Sequence, residues 1–197
     1  MAITLDGVSF TGISLDTNSY FTEQWGSQSG GTLSDSNRIV TQNSAIIELR
    51  AISVAPVPNA GKWYCELTMS DTGTFLMAAG LAESTTGPYC AARSNGTTAF
   101  VRSGVTMATQ ASFSAGTIQL AIDLGNARMW VGRNNTWFSS GNPSTGTNPY
   151  YSTIPAGIYY IFVHADNDGN GVGSAAIRTS YSRLTYTPPT GFLPLSL

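Results

Sequence analysis

A chain of 197 residues is long enough for one sizeable core and short for two domains. Only 10% of its residues are charged, the formal net charge is −2 and there is a single lysine, so the basic footprint of a nucleic-acid binder is missing. No apolar run approaches the ~20 residues of a membrane span, and "MAITLDGVSF" has neither the basic start nor the apolar centre of a signal peptide.

Residues 1–32 come first and differ from the rest. "SLDTNSYFTEQWGSQSGGTL" is rich in Ser, Gly and Gln with a few aromatics, and reads as an extended N-terminal arm and docking segment. From residue 33 to 197 short β-rich runs recur with turn chemistry between them, the pattern of an all-β, single-domain antiparallel sandwich. In chain order the runs are "SAIIELRAI", "GKWYCELTM", "TFLMAAGLA", "TTAFVRSG", "TIQLAIDLG", "ARMWVGRN", "GIYYIFVHA" and "AAIRTSYSRLTY". The Ser, Thr and Asn content disfavours helix interiors, and 21 glycines supply turn positions.

In "GKWYCELTM", period-two alternation puts Trp63, Cys65 and Leu67 on one face and Tyr64, Glu66 and Thr68 on the other; the bulk of Trp63 assigns the first face to the core. In "TIQLAIDL", Ile118, Leu120, Ile122 and Leu124 alternate with Thr117, Gln119, Ala121 and Asp123, so one face is again core. "DLGNARM" reads as a tight hairpin turn, because Gly125 and Asn126 tolerate positive φ. The chain closes on "TYTPPTGFLPLSL", too apolar for a free tail, which predicts that this segment is buried. Cys65 and Cys90 read as two small buried hydrophobes, unpaired, in a reducing compartment.

Several of these stretches resemble one family, the SPRY (B30.2-like) domain. "GKWYCELTM" is similar to the family's Gly-Lys-Trp-Tyr-x-Glu strand, and "AIDLGNARMWVGRNNTWF" to its Asp-containing strand, hairpin, aromatic strand and Asn-x-x-Trp turn. "SGNPSTGTNP" and "PPTGFLPL" resemble segments of the bacteriophage and bacterial branch. Where the family carries Asn-Phe-Gly, this chain reads "RTSYSRLTY". The resemblance implies a bent SPRY/concanavalin-like jelly roll whose C-terminal segment packs back near the start of the domain, which would make Phe192, Leu193 and Leu195 core residues. It also implies a module that binds protein segments through loops at one end of the sandwich.

The inventory for catalysis is thin. His164 is the one histidine and reads as a hydrogen-bonded structural residue at a strand end. Two distant cysteines and one histidine make neither a zinc site nor a multi-histidine centre, and there is no Gly-x-Ser-x-Gly elbow. Glu66 and Asp123 each stand alone on a strand, without the paired carboxylates of a glycosidase, and read as residues that fix a turn or pair with an arginine. Asp166, Asp168, Asn170 and Gly171 match the spacing of a calcium loop, but Ile177 stands at its twelfth position, and the stretch also reads as an ordinary hairpin loop. Asn95 and Asn134 fit a glycosylation pattern that has no secretion signal to support it. No enzyme activity, no cofactor and no metal are therefore expected.

Large aromatic and Arg side chains on loops are the usual carriers of interface energy, which singles out Tyr89, Arg93, Trp137, Tyr150 and Tyr151 as binding residues. Trp137 also resembles a family framework position, and the tyrosines also read as cover for the sheet. The leading expectation is a non-enzymatic bacteriophage virion protein: a capsid decoration or head/tail surface component, made in the host cytoplasm, whose partners are other virion proteins or copies of itself. Alternatives are a receptor-binding or tail-fibre module for a host surface glycan or protein, and an intracellular SPRY adaptor that binds peptide segments.

Overall fold

The computed structural model describes residues 3–5, 8–10, 21–71, 77–94, 104–108, 114–166 and 171–196. Strands β1 (Ile3–Leu5) and β2 (Val8–Phe10) pair antiparallel as a hairpin of their own. There follow β3 (Trp25–Ser29), β4 (Gly31–Ser34), β5 (Ile39–Gln42), β6 (Leu49–Pro56), β7 (Trp63–Asp71), β8 (Met77–Ala82) and β9 (Tyr89–Arg93). The remainder are β10 (Thr106–Met107), β11 (Gly116–Asp123), β12 (Arg128–Arg133), β13 (Thr136–Trp137), β14 (Tyr151–Ser152), β15 (Tyr160–Ala165), β16 (Gly173–Arg178) and β17 (Leu193–Pro194). The larger sheet runs β10-β14-β12-β11-β7-β16-β5-β4, with β13 on β12 and β17 alongside β7; the smaller runs β3-β6-β15-β8-β9. No helix among the described residues is long and apolar enough to cross a membrane.

The alternation read in the sequence sets the core. Cys65, Leu67 and Met69 of β7 and Ile118, Leu120 and Ile122 of β11 face Leu49, Ala51, Leu81, Ile161 and Val163 of the smaller sheet. Trp63 lies on this face at its margin and is only partly buried, because its indole sits at the end of the strand and donates to Ala60 O at 2.7 Å.

The opposite face of the larger sheet is also buried. The C-terminal segment crosses it, so Tyr64, Ala121, Trp130 and Phe192 form a second apolar cluster, with Phe192 edge-on to Trp130 at 6.0 Å. Glu66 is buried within this cover. Its carboxylate accepts the Tyr64 hydroxyl (2.9 Å) and the amides of Thr185 (2.7 Å) and Tyr186 (2.8 Å), which fixes the turn before the final segment. Of the three terminal residues expected in the core, Phe192 and Leu195 are buried, whereas Leu193 is 48% exposed. Leu193 pairs through its backbone with Trp63 in the parallel β17–β7 ladder, so it lies at the same strand end where Trp63 is itself only partly buried.

Among the described residues the sandwich already includes Phe21 and Trp25, well before residue 33. β3 is an edge strand of the smaller sheet and β4 of the larger. Trp25 is fully buried, and its indole donates to Ala175 O of the opposite sheet at 3.1 Å. A stretch of small polar residues thus belongs to the fold because its two aromatics face inward and the rest lie on sheet edges. The part of the expected arm before Phe21 falls largely outside the described residues, as does "TTAFVRSG" except for Gly104.

The β11–β12 hairpin forms as read, but the left-handed residue is Ala127 (φ 56°) rather than Gly125 or Asn126. Asp123 Oδ1 accepts the Asn126 amide at 3.2 Å and closes a tight turn over Leu124–Asn126, which moves the exit residue one position on. The stretch after β16 is not a strand: Ser180 accepts the amides of Arg183 and Leu184, and the chain turns there.

Candidate functional site

The outer face of the smaller sheet carries a connected network of charged and aromatic side chains. Strand register places Arg50, His164, Ala78 and Arg93 in one row across β6, β15, β8 and β9. The next rows carry Ile52, Phe162, Gly80 and Ala91, then Tyr160, Ala82 and Tyr89. Alanine and glycine on β8 leave a low floor, which lets the Tyr89 ring reach across and stack on Phe162 at 4.6 Å. Only glycine fits position 80, since a Cβ there would come within 2.2 Å of Cys90 O.

Above this floor lies a network of charges. Arg50 donates to the Tyr89 hydroxyl at 2.6 Å and to Glu48 Oε1 at 2.7 Å, and its guanidinium lies 5.7 Å from the Tyr89 ring centroid. Tyr89 in turn donates to Thr85 O at 2.7 Å, so the 83–88 turn is drawn toward the face. His164 Nε2 shares Glu48 Oε1 at 2.7 Å, and Arg93 pairs with Asp166. Glu48 and Asp166 flank the paired residues Leu49 and Ala165 at the end of the β6–β15 ladder, so the backbone register holds both acids beside the histidine.

Burial opposes ionisation of Glu48, but hydrogen bonds from Arg50 and His164 outweigh it and hold the carboxyl below its usual range. Burial pushes the His164 imidazole below its ordinary value, partly offset by Glu48. Burial likewise raises the Tyr89 hydroxyl. Among the described residues Glu48, His164 and Asp166 each offer one metal-ligand atom, all within 4.8 Å of one another.

Of the five residues singled out from the sequence, this face brings together Tyr89 and Arg93. Trp137 lies elsewhere, on β13 against the outer apolar cluster of the larger sheet, partly buried. Tyr150 and Tyr151 are not surface contacts. They are 1% and 0% exposed, edge-to-face at 4.9 Å in the main core, because the chain turns inward at β14 to pair with β12 and β10. Glu48 and Arg50 were missed; the available signal was two charges at period two in an otherwise apolar strand run. His164 is a hydrogen-bonded residue near a strand end, as read. In the calcium-loop reading, Asp166 pairs with Arg93, while Asp168 and Asn170 lie outside the described residues.

No protein-family profile matches the chain, and no curated protein matches it. Solved structures similar to it include the SPRY domain of human HERC1, with a TM-score of 0.58 and 12% identity over 81% of this chain and 96% of that one. The carbohydrate recognition domain of Emp47p is also similar, with a TM-score of 0.51 and 11% identity over 81% of this chain and 90% of that one. At such identities the likeness is one of architecture, and it coincides with the register and layering described above: the chain is an all-β antiparallel sandwich of the SPRY and lectin-like jelly-roll kind.

Proposed function

We propose that this chain is a non-enzymatic recognition module of a bacteriophage virion, a capsid decoration or head/tail surface component that holds a protein partner through the outer face of its smaller sheet. The observation that carries the reading is the array of Arg50, Tyr89 and Arg93 over an Ala/Gly floor. Arginine and tyrosine are the side chains most often found as interface anchors, and here each is held in place by hydrogen bonds to its neighbours before any partner arrives. The non-enzymatic part is supported by the acids on the larger sheet. Glu66 accepts backbone amides and Asp123 caps a turn, so each carboxylate already has a structural task. The virion part rests on the resemblance of "SGNPSTGTNP" and "PPTGFLPL" to phage-branch segments. The test is co-sedimentation of the purified protein with particles lacking it. Arg50→Glu and Arg93→Glu together should abolish attachment while circular dichroism stays unchanged; attachment that survives both changes overturns the reading.

A second reading, recognition of a host glycan, is favoured by the likeness in fold to the Emp47p carbohydrate recognition domain. Binding to a glycan array, lost in the same double variant, would select it over a protein partner.

A further inference from the structure

We propose that Glu48, His164 and Asp166 form a binding site for a divalent transition-metal ion, for which zinc suits the donor set best. This goes beyond the recognition reading and does not depend on it.

The three donor atoms lie within 4.8 Å of one another and come from the ends of two hydrogen-bonded strands. His164 pairs with Arg50 in the β15–β6 register, and Glu48 and Asp166 flank the adjoining pair Leu49 and Ala165, so the backbone fixes all three Cα positions. The His164 ring is 1% exposed, so packing locks its orientation. The Glu48 and Asp166 side chains are 37% and 24% exposed and leave an entry path from solvent.

The donor chemistry selects the class of ion. Imidazole suits zinc and its transition-metal neighbours, whereas calcium and magnesium take all-oxygen sets. A zinc ion sits about 2.0–2.2 Å from nitrogen and carboxylate ligands, and tetrahedral geometry then separates the donors by roughly 3.5 Å. Glu48 Oε1 and His164 Nε2, now 2.7 Å apart, must therefore open by about 0.8 Å to admit the ion between them, while the widest separation, within 4.8 Å, closes by about 1 Å, movements within reach of the two carboxylate side chains. A fourth position is left for water or for an oxygen of a bound partner.

The neighbours are those a metal site uses. Arg50 donates to Glu48 and Arg93 to Asp166, and ligating carboxylates are commonly held by such outer hydrogen bonds. The two guanidiniums also repel a cation, so the site binds more weakly than one built from uncompensated acids. His164 Nε2 now bridges to Glu48 Oε1 through a proton. On binding, that proton passes to the other ring nitrogen or to solvent, and the metal takes its place between the two side chains.

The experiment is isothermal titration calorimetry of the untagged, EDTA-treated full chain with zinc chloride, alongside thermal melts with zinc and with magnesium. Saturable binding near one ion per chain and a raised melting temperature with zinc but not magnesium are expected. Glu48→Gln and His164→Gln should each weaken zinc binding at least tenfold. No saturable heat, or binding unchanged in Glu48→Gln, overturns the proposal. Because Glu48 is substantially exposed, that variant keeps the test decisive even if His164→Gln does not fold.

Discussion

The Glu23 carboxylate accepts the Thr179 backbone amide at 2.7 Å, across 156 residues of sequence. The same oxygen accepts Ser180 N at 3.2 Å, and the other pairs with Arg183 Nε at 2.5 Å. Ser196 closes the junction by donating to Phe21 O at 2.9 Å. The start of the sandwich and its end are therefore one assembly, with Phe21 and Trp25 buried inside it.

Deleting residues 1–30 should for that reason unfold the domain. Removal of one buried Trp alone costs about 3–5 kcal/mol, comparable to the whole stability of a marginal domain, and the deletion also strands the partners of Glu23. Far-ultraviolet circular dichroism with thermal melting is the measurement. A melting temperature within a few degrees of the full chain would mean that residues 21–30 are an appendage.

On β7 the strand margin matters more than side-chain size. Trp63 is partly exposed at the edge of the core, whereas Leu67 is fully buried between the sheets. Leu67→Ala should cost about 2–5 kcal/mol, and Trp63→Ala less, about 1–2 kcal/mol, in proportion to the smaller area it removes from water. Urea midpoints of the two variants decide the order. A larger loss for Trp63→Ala would place the indole deeper than its exposure indicates.

Most of the sandwich could be read from the sequence because its central strands β7, β11 and β12 carry local signals: period-two apolar residues and a capped hairpin turn. What could not be read depends on partners distant in the chain. Nothing near Tyr64, Ala121 or Glu66 announces that residues 184–192 will cover them, so a face that looks solvent-facing by alternation is buried. The boundary at residue 33 failed for a related reason: β3 and β4 are edge strands, which tolerate Gly, Ser and Gln, and only Phe21 and Trp25 reveal their inward side. At the candidate site, residue type alone pointed to Tyr89 and Arg93. Their partners Arg50, on β6, and Asp166, just past β15, are remote in sequence, and only the register brings them together.

Cys65 should be inert in the native protein. It is fully buried, and burial raises its thiol pKa far above the ordinary range, so little thiolate forms and the reagent has no access. Labelling of the native protein with a thiol reagent should stay slow and nearly flat from pH 7 to 9. In denaturant the rate should climb with pH toward the free-thiol pKa of about 8.5. Mapping the label to Cys65 by peptide mass separates it from Cys90; rapid native labelling there would mean that the sheets open readily around β7.

Tyr150 and Tyr151 offer a test whose direction opposes a role in binding. Both hydroxyls are buried and have no hydrogen-bond partner among the described residues, while the rings themselves are well packed in the main core. Leaving a polar group unpaired in the interior costs about 1–3 kcal/mol, and phenylalanine removes the hydroxyl while keeping the ring. Tyr150→Phe and Tyr151→Phe should therefore leave stability unchanged or raise it by about 1 kcal/mol, against the loss of roughly 1 kcal/mol typical of point substitutions. Particle attachment should be retained in both, because neither side chain reaches the surface. A stability loss above about 1 kcal/mol in either variant would show that its hydroxyl is satisfied, most simply by an internal water held between the sheets.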